Sequence, residues 1–258
     1  MTVRESAWDP GTPCWVDLMT TDQDAAQKFY GDLFGWRMDV GGEETGGYAM
    51  ASIGGHDVAG IGGMMGMDHP PAWNTYLATA DADATSAAVE KAGGTVMAPA
   101  MDIMEFGRMA FAQVPGGGVF GYWQSGVHTG VDVANEPNTL TWTEFMTRDF
   151  AAAKKFYADV FGFTYTEMGG DGFQYATIEL AGNTVGGIGV LPDAVPAHIP
   201  PHWRVYFAVD DADATAAKVT SLGGSILRPP EDMPYGRHAD VADPQGAMFS
   251  IIKSTPPA

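Results

Sequence analysis

The nine residues KFYGDLFGW from Lys28 return as KFYADVFGF from Lys155, and the correspondence extends in both directions. WVDLMTTD from Trp15 lies over WTEFMTRD from Trp142, and WNTYLATADADATSAAVEKAGG from Trp73 over WRVYFAVDDADATAAKVTSLGG from Trp203. FGRMAFAQVPGGGVFGYW from Phe106 faces YGRHADVADPQGAMFSII from Tyr235. The offset stays between 127 and 130 residues, far above the length of a solenoid repeat, so the chain carries a duplicated domain rather than stacked small units. A length of 258 residues agrees, at roughly 150 residues per domain. The expected division is a first domain over 1–128, a polar, proline-bearing linker over 129–138, and a second domain over 139–258.

Each copy is itself divided. WVDLM alternates as a strand should and runs into TTD, where Asp22 is placed to cap a helix whose apolar face carries Ala25, Phe29 and Leu33 and which stops at Gly35. Short strands joined by glycine pairs follow. The second portion reads alike: strand WNTYLAT, a helix from Asp83 to Lys91 ended by Gly93 and Gly94, then TVMAPAM, RMAFAQV and VFGYWQ. The unit is strand, helix, three strands, and the chain holds four of them.

Thirteen basic residues against thirty-two acidic ones give a formal charge of −19, which repels phosphate backbones and anionic lipid. Nucleic acid and membranes are therefore not expected partners. Cys14 is the only cysteine, so no intramolecular disulfide and no thiolate cluster can form. The first residues, MTVRESAWDPGTP, lack the apolar core of a signal peptide, and no window reaches the ~18 apolar residues of a membrane span. A cytoplasmic protein, monomer or homodimer, is the expectation.

Paired βαβββ units, a first helix ending in FY-x-x-[LV]-FG, a GG after the second helix and the final DPQGAMF from Asp243 resemble the vicinal oxygen chelate superfamily, which includes glyoxalase I, bleomycin-resistance proteins and extradiol dioxygenases. The tandem layout resembles the two-domain glyoxalase-like proteins of actinobacteria, some of which lie in antibiotic pathways. The resemblance covers nearly the whole chain. It implies an α+β fold: two tandem domains, each of two βαβββ modules forming a cupped mixed sheet with helices on the convex face.

It also implies where a metal would sit in metal-using members, on His and Glu side chains of the first, fourth, fifth and eighth strands of a domain. The corresponding residues here are Asp17 and Glu144 on the first strands, Asn74 and Arg204 on the fifth, and Gly121 and Ser250 on the eighth. The fourth strands, VAGIGGMMGM from Val58 and TVGGIGVL from Thr184, hold no carboxylate in any register. Zinc or iron needs about three protein groups, so neither a metal nor another cofactor is expected. HIPPH, with His198 and His202, has helical metal-pair spacing, but its two prolines prevent the helix. His56, His69, His128 and His238 read as turn or strand-start residues.

Strand alternation then sorts the side chains. Trp15, Asp17, Met19, Asn74, Tyr76, Val119, Gly121 and Trp123 should line the first cup. Trp142, Glu144, Met146, His202, Arg204, Tyr206, Met248, Ser250 and Ile252 should line the second. Glu144 and Arg204 are expected to pair across the second cup, leaving Asp17 the less neutralised carboxylate. Apolar walls around a few polar groups describe a small-molecule site. Three functions follow: metal-independent binding of an aromatic natural product, in resistance or tailoring; lyase, isomerase or oxygenation-related chemistry with Asp17 as acid/base and Asn74 or Tyr76 as oxyanion donor; or a protein-interaction scaffold with both cups filled.

Overall fold

The structure is a computed structural model that describes residues 2–64, 66, 69–170 and 174–255. The first half runs β1 (Pro13–Thr20), α1 (Gln23–Phe34), β2 (Arg37–Val40), β3 (Ala49–Ile53) and β4 (His56–Gly63), then β5 (Ala72–Ala78), α2 (Ala82–Lys91), β6 (Thr95–Ile103), β7 (Gly107–Gln113) and β8 (Val119–Ser125). The second half repeats it as β9 (Leu140–Thr147), α3 (Phe150–Phe161), β10 (Thr164–Glu167), β11 (Tyr175–Leu180) and β12 (Asn183–Val190), followed by β13 (His202–Ala208), α4 (Ala212–Ser221), β14 (Ser225–Met233), β15 (Gly236–Ala242) and β16 (Met248–Ser254). Each half folds into one eight-stranded mixed sheet, ordered β2-β3-β4-β1-β5-β8-β7-β6 and β10-β11-β12-β9-β13-β16-β15-β14. In the first sheet β1 is parallel to β4 and antiparallel to β5, and β5 is parallel to β8.

The four helices begin in the same way. Asp22, Asp81, Asp149 and Asp211 each accept from the backbone N–H three residues on, satisfying an otherwise orphaned donor. Gly35 and Gly162 close α1 and α3 in the left-handed region at φ 74° and 73°, which glycine enters without the cost that a Cβ imposes. The buried face of α1 carries Ala26, Phe29, Tyr30, Leu33 and Phe34. The apolar stripe thus passes through Ala26 rather than the expected Ala25. No helix among the described residues is long and apolar enough to cross a membrane.

The helix-facing surfaces of the two sheets do not form separate cores. One core joins Leu18, Phe29 and Leu33 to Phe207, Val219 and Phe249. Another joins Leu77, Val89 and Phe120 to Phe145, Phe156 and Tyr157. Helix α1 meets α4, and α2 meets α3, so each half completes the other's convex side and the concave faces turn outward. The repeated KFY triplet serves this seam. Tyr30 and Tyr157 are fully buried, and their hydroxyls accept from the indole N–H of Trp73 at 3.0 Å and of Trp203 at 2.8 Å. Tyr30 also donates across the seam to Asp243 Oδ2 at 3.1 Å.

Because the cores are shared, the halves should unfold in one cooperative transition. Tyr30→Phe strands the Trp73 N–H and removes a donor from a buried carboxylate, whereas Tyr157→Phe strands an indole alone. Denaturation midpoints should show Tyr30→Phe as the costlier change, about 2 kcal/mol against about 1. Two separated transitions, or equal losses, would contradict the shared seam.

Candidate functional site

Strand register sets the floor of the first cup. Asp17 lies between Gly60 on β4 and Asn74 on β5, and Tyr76 pairs with Gly121 on β8. Two of these four seats therefore have no side chain, and tyrosines fill both. A Cβ at Gly60 would overlap the Tyr48 hydroxyl, and one at Gly121 would overlap the Tyr76 ring. Both hydroxyls converge on the carboxylate, donating to Asp17 Oδ2 at 3.2 Å from Tyr48 and 2.9 Å from Tyr76. Asn74 Nδ2 donates to Oδ1 at 2.9 Å, and Trp15 Nε1 donates to the Tyr48 hydroxyl at 3.1 Å. Met19 is buried beside Tyr48 over Gly62.

Asp17 is only 4% exposed and its partners are neutral. Burial raises its pKa from 3.8 to about 6, with the donors Asn74, Tyr76 and Tyr48 acting in the opposite direction. Burial and the negative charge of Asp17 push the Tyr48 and Tyr76 hydroxyls well above their ordinary range, so they serve as donors and not as bases. Asn74 and Tyr76, expected as oxyanion donors, point at Asp17 instead.

Trp15 and Trp123 form the far wall, closed by a residue read from the sequence as a turn histidine. His128 is packed edge-on against Trp15 at 4.4 Å and Trp123 at 5.6 Å, and its carbonyl accepts from Trp123 Nε1 at 2.9 Å. Burial lowers its pKa to about 4, so it is a neutral wall group near pH 7. Cys14 is buried nearby, its thiol pKa raised by desolvation.

The second cup repeats the clamp with a different neighbour. A Cβ at Gly187 would overlap the Tyr175 hydroxyl, which accepts from Trp142 Nε1 at 3.1 Å. Tyr206 donates to Glu144 Oε1 at 2.7 Å. Arg204 is not an exclusive partner of Glu144. Its Nη1 is 3.8 Å from Glu144 Oε1 but 3.5 Å from Asp240 Oδ2, a residue absent from the expected lining. Asp240 also accepts from Ser250 Oγ at 2.6 Å and pairs with Arg228 at 3.4 Å, and Arg228 meets Glu231 at 3.2 Å. His238 sits within β15, buried beside the Tyr206 ring, and not at a strand start. His202 Nδ1 lies 2.9 Å from the Pro200 carbonyl.

Tyr48 and Tyr175 are the site residues that the pattern of strands leaves out, because each stands at the edge of a strand that contributes no seat. Their separation equals that of the KFY triplets, a signal available in the sequence. Among the described residues no three His, Cys, Asp or Glu side chains are grouped as a metal site. One carboxylate roofed by two tyrosine rings does not fit a divalent ion that needs about three protein donors.

The buried carboxylate has a pH signature. The folded state holds the Asp17 proton between about pH 4 and 6, where the unfolded chain has released it, so the contribution is present below about 4 and lost as pH rises through 6. Relative to Asp17→Asn, the native protein should lose about 3 kcal/mol of stability between pH 4 and 7. Parallel stability curves for the two proteins would show that Asp17 ionises normally.

Residues 14–121 and 139–251 match the family model described as Glyoxalase/Bleomycin resistance protein/Dioxygenase superfamily. The chain is 45% identical over 262 residues to CFP32 of Mycobacterium tuberculosis (strain CDC 1551 / Oshkosh), with 98% of each covered. It is 37% identical over 259 residues to the anthracycline biosynthesis protein DnrV of Streptomyces peucetius, covering 95% of this chain and 94% of that protein. The Mn(II)-bound glyoxalase from Novosphingobium aromaticivorans superposes with a TM-score of 0.66 at 22% identity, over 95% of this chain and 82% of the other. The 2,3-dioxygenase LapB from Pseudomonas sp. KL28 does so at 0.67 and 13%, over 99% and 96%. With both repeats matched by the family model and full-length relatives on either side, the chain belongs to the glyoxalase/bleomycin resistance protein/dioxygenase superfamily, in a tandem two-domain form.

Proposed function

We propose that this protein binds an aromatic small molecule without a metal, in the service of natural-product resistance or tailoring. The observation that carries the reading is the glycine seat filled by a tyrosine. Where metal-using members are expected to place ligands, Gly60 and Gly121 leave room for Tyr48 and Tyr76, whose hydroxyls satisfy Asp17 from within the protein. A site organised in this way offers a ligand ring faces and methionine instead of a cation. Apolar and aromatic walls with few polar groups are the usual chemistry of small-molecule pockets. The name of DnrV as an anthracycline biosynthesis protein supports a polycyclic aromatic compound as the ligand class.

A second reading is favoured by the burial of Asp17 among neutral partners, which pushes its carboxyl up to about 6. A carboxylate tuned toward neutrality is suited to moving a proton. Here Asp17 itself would have to reach the ligand, since Tyr76 and Asn74 are engaged with it. That reaction class includes isomerisation and lyase chemistry at an acidic C–H.

The proposal is tested by titrating the protein with quinizarin, a flat hydroxylated anthraquinone, in buffer containing a chelator and following tryptophan fluorescence. Saturable quenching is expected. In parallel, zinc, nickel and iron(II) should each leave the melting temperature unchanged, because an ion bound to the native state stabilises it by mass action. A shift of several degrees reversed by chelator would overturn metal independence, and failure of quinizarin to bind would overturn the ligand class.

A further inference from the structure

The two sheets share a register but not a chemistry. In the first, Gly121, Phe111 and Ala98 stand opposite one another across β8, β7 and β6. At the same stations of the second stand Ser250, Asp240 and Arg228. The next file is Trp123, Met109 and Met101 in the first sheet, against Ile252, His238 and Glu231 in the second. Position for position, the first cup is apolar on the side where the second is charged.

This difference decides what each concave face can accept. In the first, the indole and hydroxyl donors of Trp15, Tyr48, Tyr76 and Trp123 already have acceptors inside the protein. The remaining surface is ring and thioether: Phe111 edge-on to Tyr76 at 5.3 Å, with Met101 42% and Val119 38% exposed. An aromatic plane laid there displaces water from apolar atoms and strands no polar group. In the second, charges alternate across the floor from Glu144 through Arg204, Asp240 and Arg228 to Glu231. Arg228 and Glu231 remain about half in water. An apolar ring laid on that chain would strip this hydration and return no hydrogen bond, which is unfavourable.

We propose that a flat, neutral polycyclic aromatic ligand seats only in the first cup, against Phe111, Met101 and Met109, and that the charge ladder makes the second cup a structural copy closed to it. The assignment rests on the reading that the protein binds such a ligand, and it adds which of the two sites does so and which side chains select it. The ladder takes over in the second half the cross-strand role that ligand contact has in the first.

Quinizarin titrations followed by calorimetry and tryptophan quenching test this with a pair of register-matched exchanges. Met101→Glu places on the first cup the charge that Glu231 gives the second, and Glu231→Met does the reverse. Both positions are exposed, so both variants should fold, which circular dichroism verifies. The expected result is one site per chain, an affinity at least about tenfold weaker in Met101→Glu and unchanged within about twofold in Glu231→Met. Phe111→Asp, the deeper exchange, should abolish quenching. Two equivalent sites, or weakening by Glu231→Met with none by Met101→Glu, would overturn the assignment while leaving ligand binding intact. No saturable binding to the native protein would instead overturn the underlying reading, and the assignment with it.

Discussion

A carboxylate held beneath two tyrosines, each standing over a glycine, is the constraint on which the first cup depends. A buried carboxylate is costly unless its oxygens are satisfied, and here the satisfaction comes from neutral donors: Tyr48, Tyr76 and Asn74 around Asp17. The tyrosines can approach only because Gly60 and Gly121 have no side chains in the way. The geometry recurs in part in the second sheet, where Tyr175 stands over Gly187 and Tyr206 donates to Glu144, but the residue opposite Tyr206 is Ser250 and not a glycine. A histidine or glutamate at either glycine would collide with the ring beside it. The glycines at these two positions and the tyrosine clamp are therefore one structural feature seen from two sides.

What lies behind the sheets explains why the chain keeps two copies when their cups differ. Phe207 and Phe249 pack with Phe34 and Trp36 of the first half, at centroid distances of 5.0 to 6.1 Å within the group formed with Phe34. Phe120 reaches Phe156 and Tyr157 of the second. Neither half has a complete core alone. The second domain therefore completes the core of the first whatever its concave face does. The repeated KFY helix repeats a packing role, with Tyr30 carrying the additional bond to Asp243.

The fold was legible because its signals are local or periodic. Alternation in WVDLM and WTEFM separated Trp15 and Asp17 from Val16 and Leu18, and Asp22 and Gly35 marked the ends of α1. The facing of Asp17 by Asn74 and of Glu144 by Arg204 was implied instead by the family resemblance, and it agrees with the register of β1 with β5 and of β9 with β13. The site was less legible because its decisive contacts are not between neighbours in any pattern. Tyr48 lies just outside β3 and reaches across β4. Asp240 sits on β15, a strand from which no seat was expected, and it draws Arg204 away from exclusive pairing with Glu144. His128 is half-buried because it packs edge-on against Trp15 and Trp123, and the contact with Trp15 is a long-range packing event that no local pattern encodes.

Tyr48 occupies the seat above Gly60, and a double-mutant cycle on stability tests that placement. Gly60→Ala introduces a Cβ into the space of the Tyr48 hydroxyl, so in the native background it should force the ring from Asp17 and cost about 2 kcal/mol or more. In the Tyr48→Ala background the same methyl enters open space and should cost little, giving a coupling energy of about 2 kcal/mol between the two positions. Additive losses, with Gly60→Ala equally harmful whether or not Tyr48 is present, would show that the tyrosine does not hold that seat and would contradict the account.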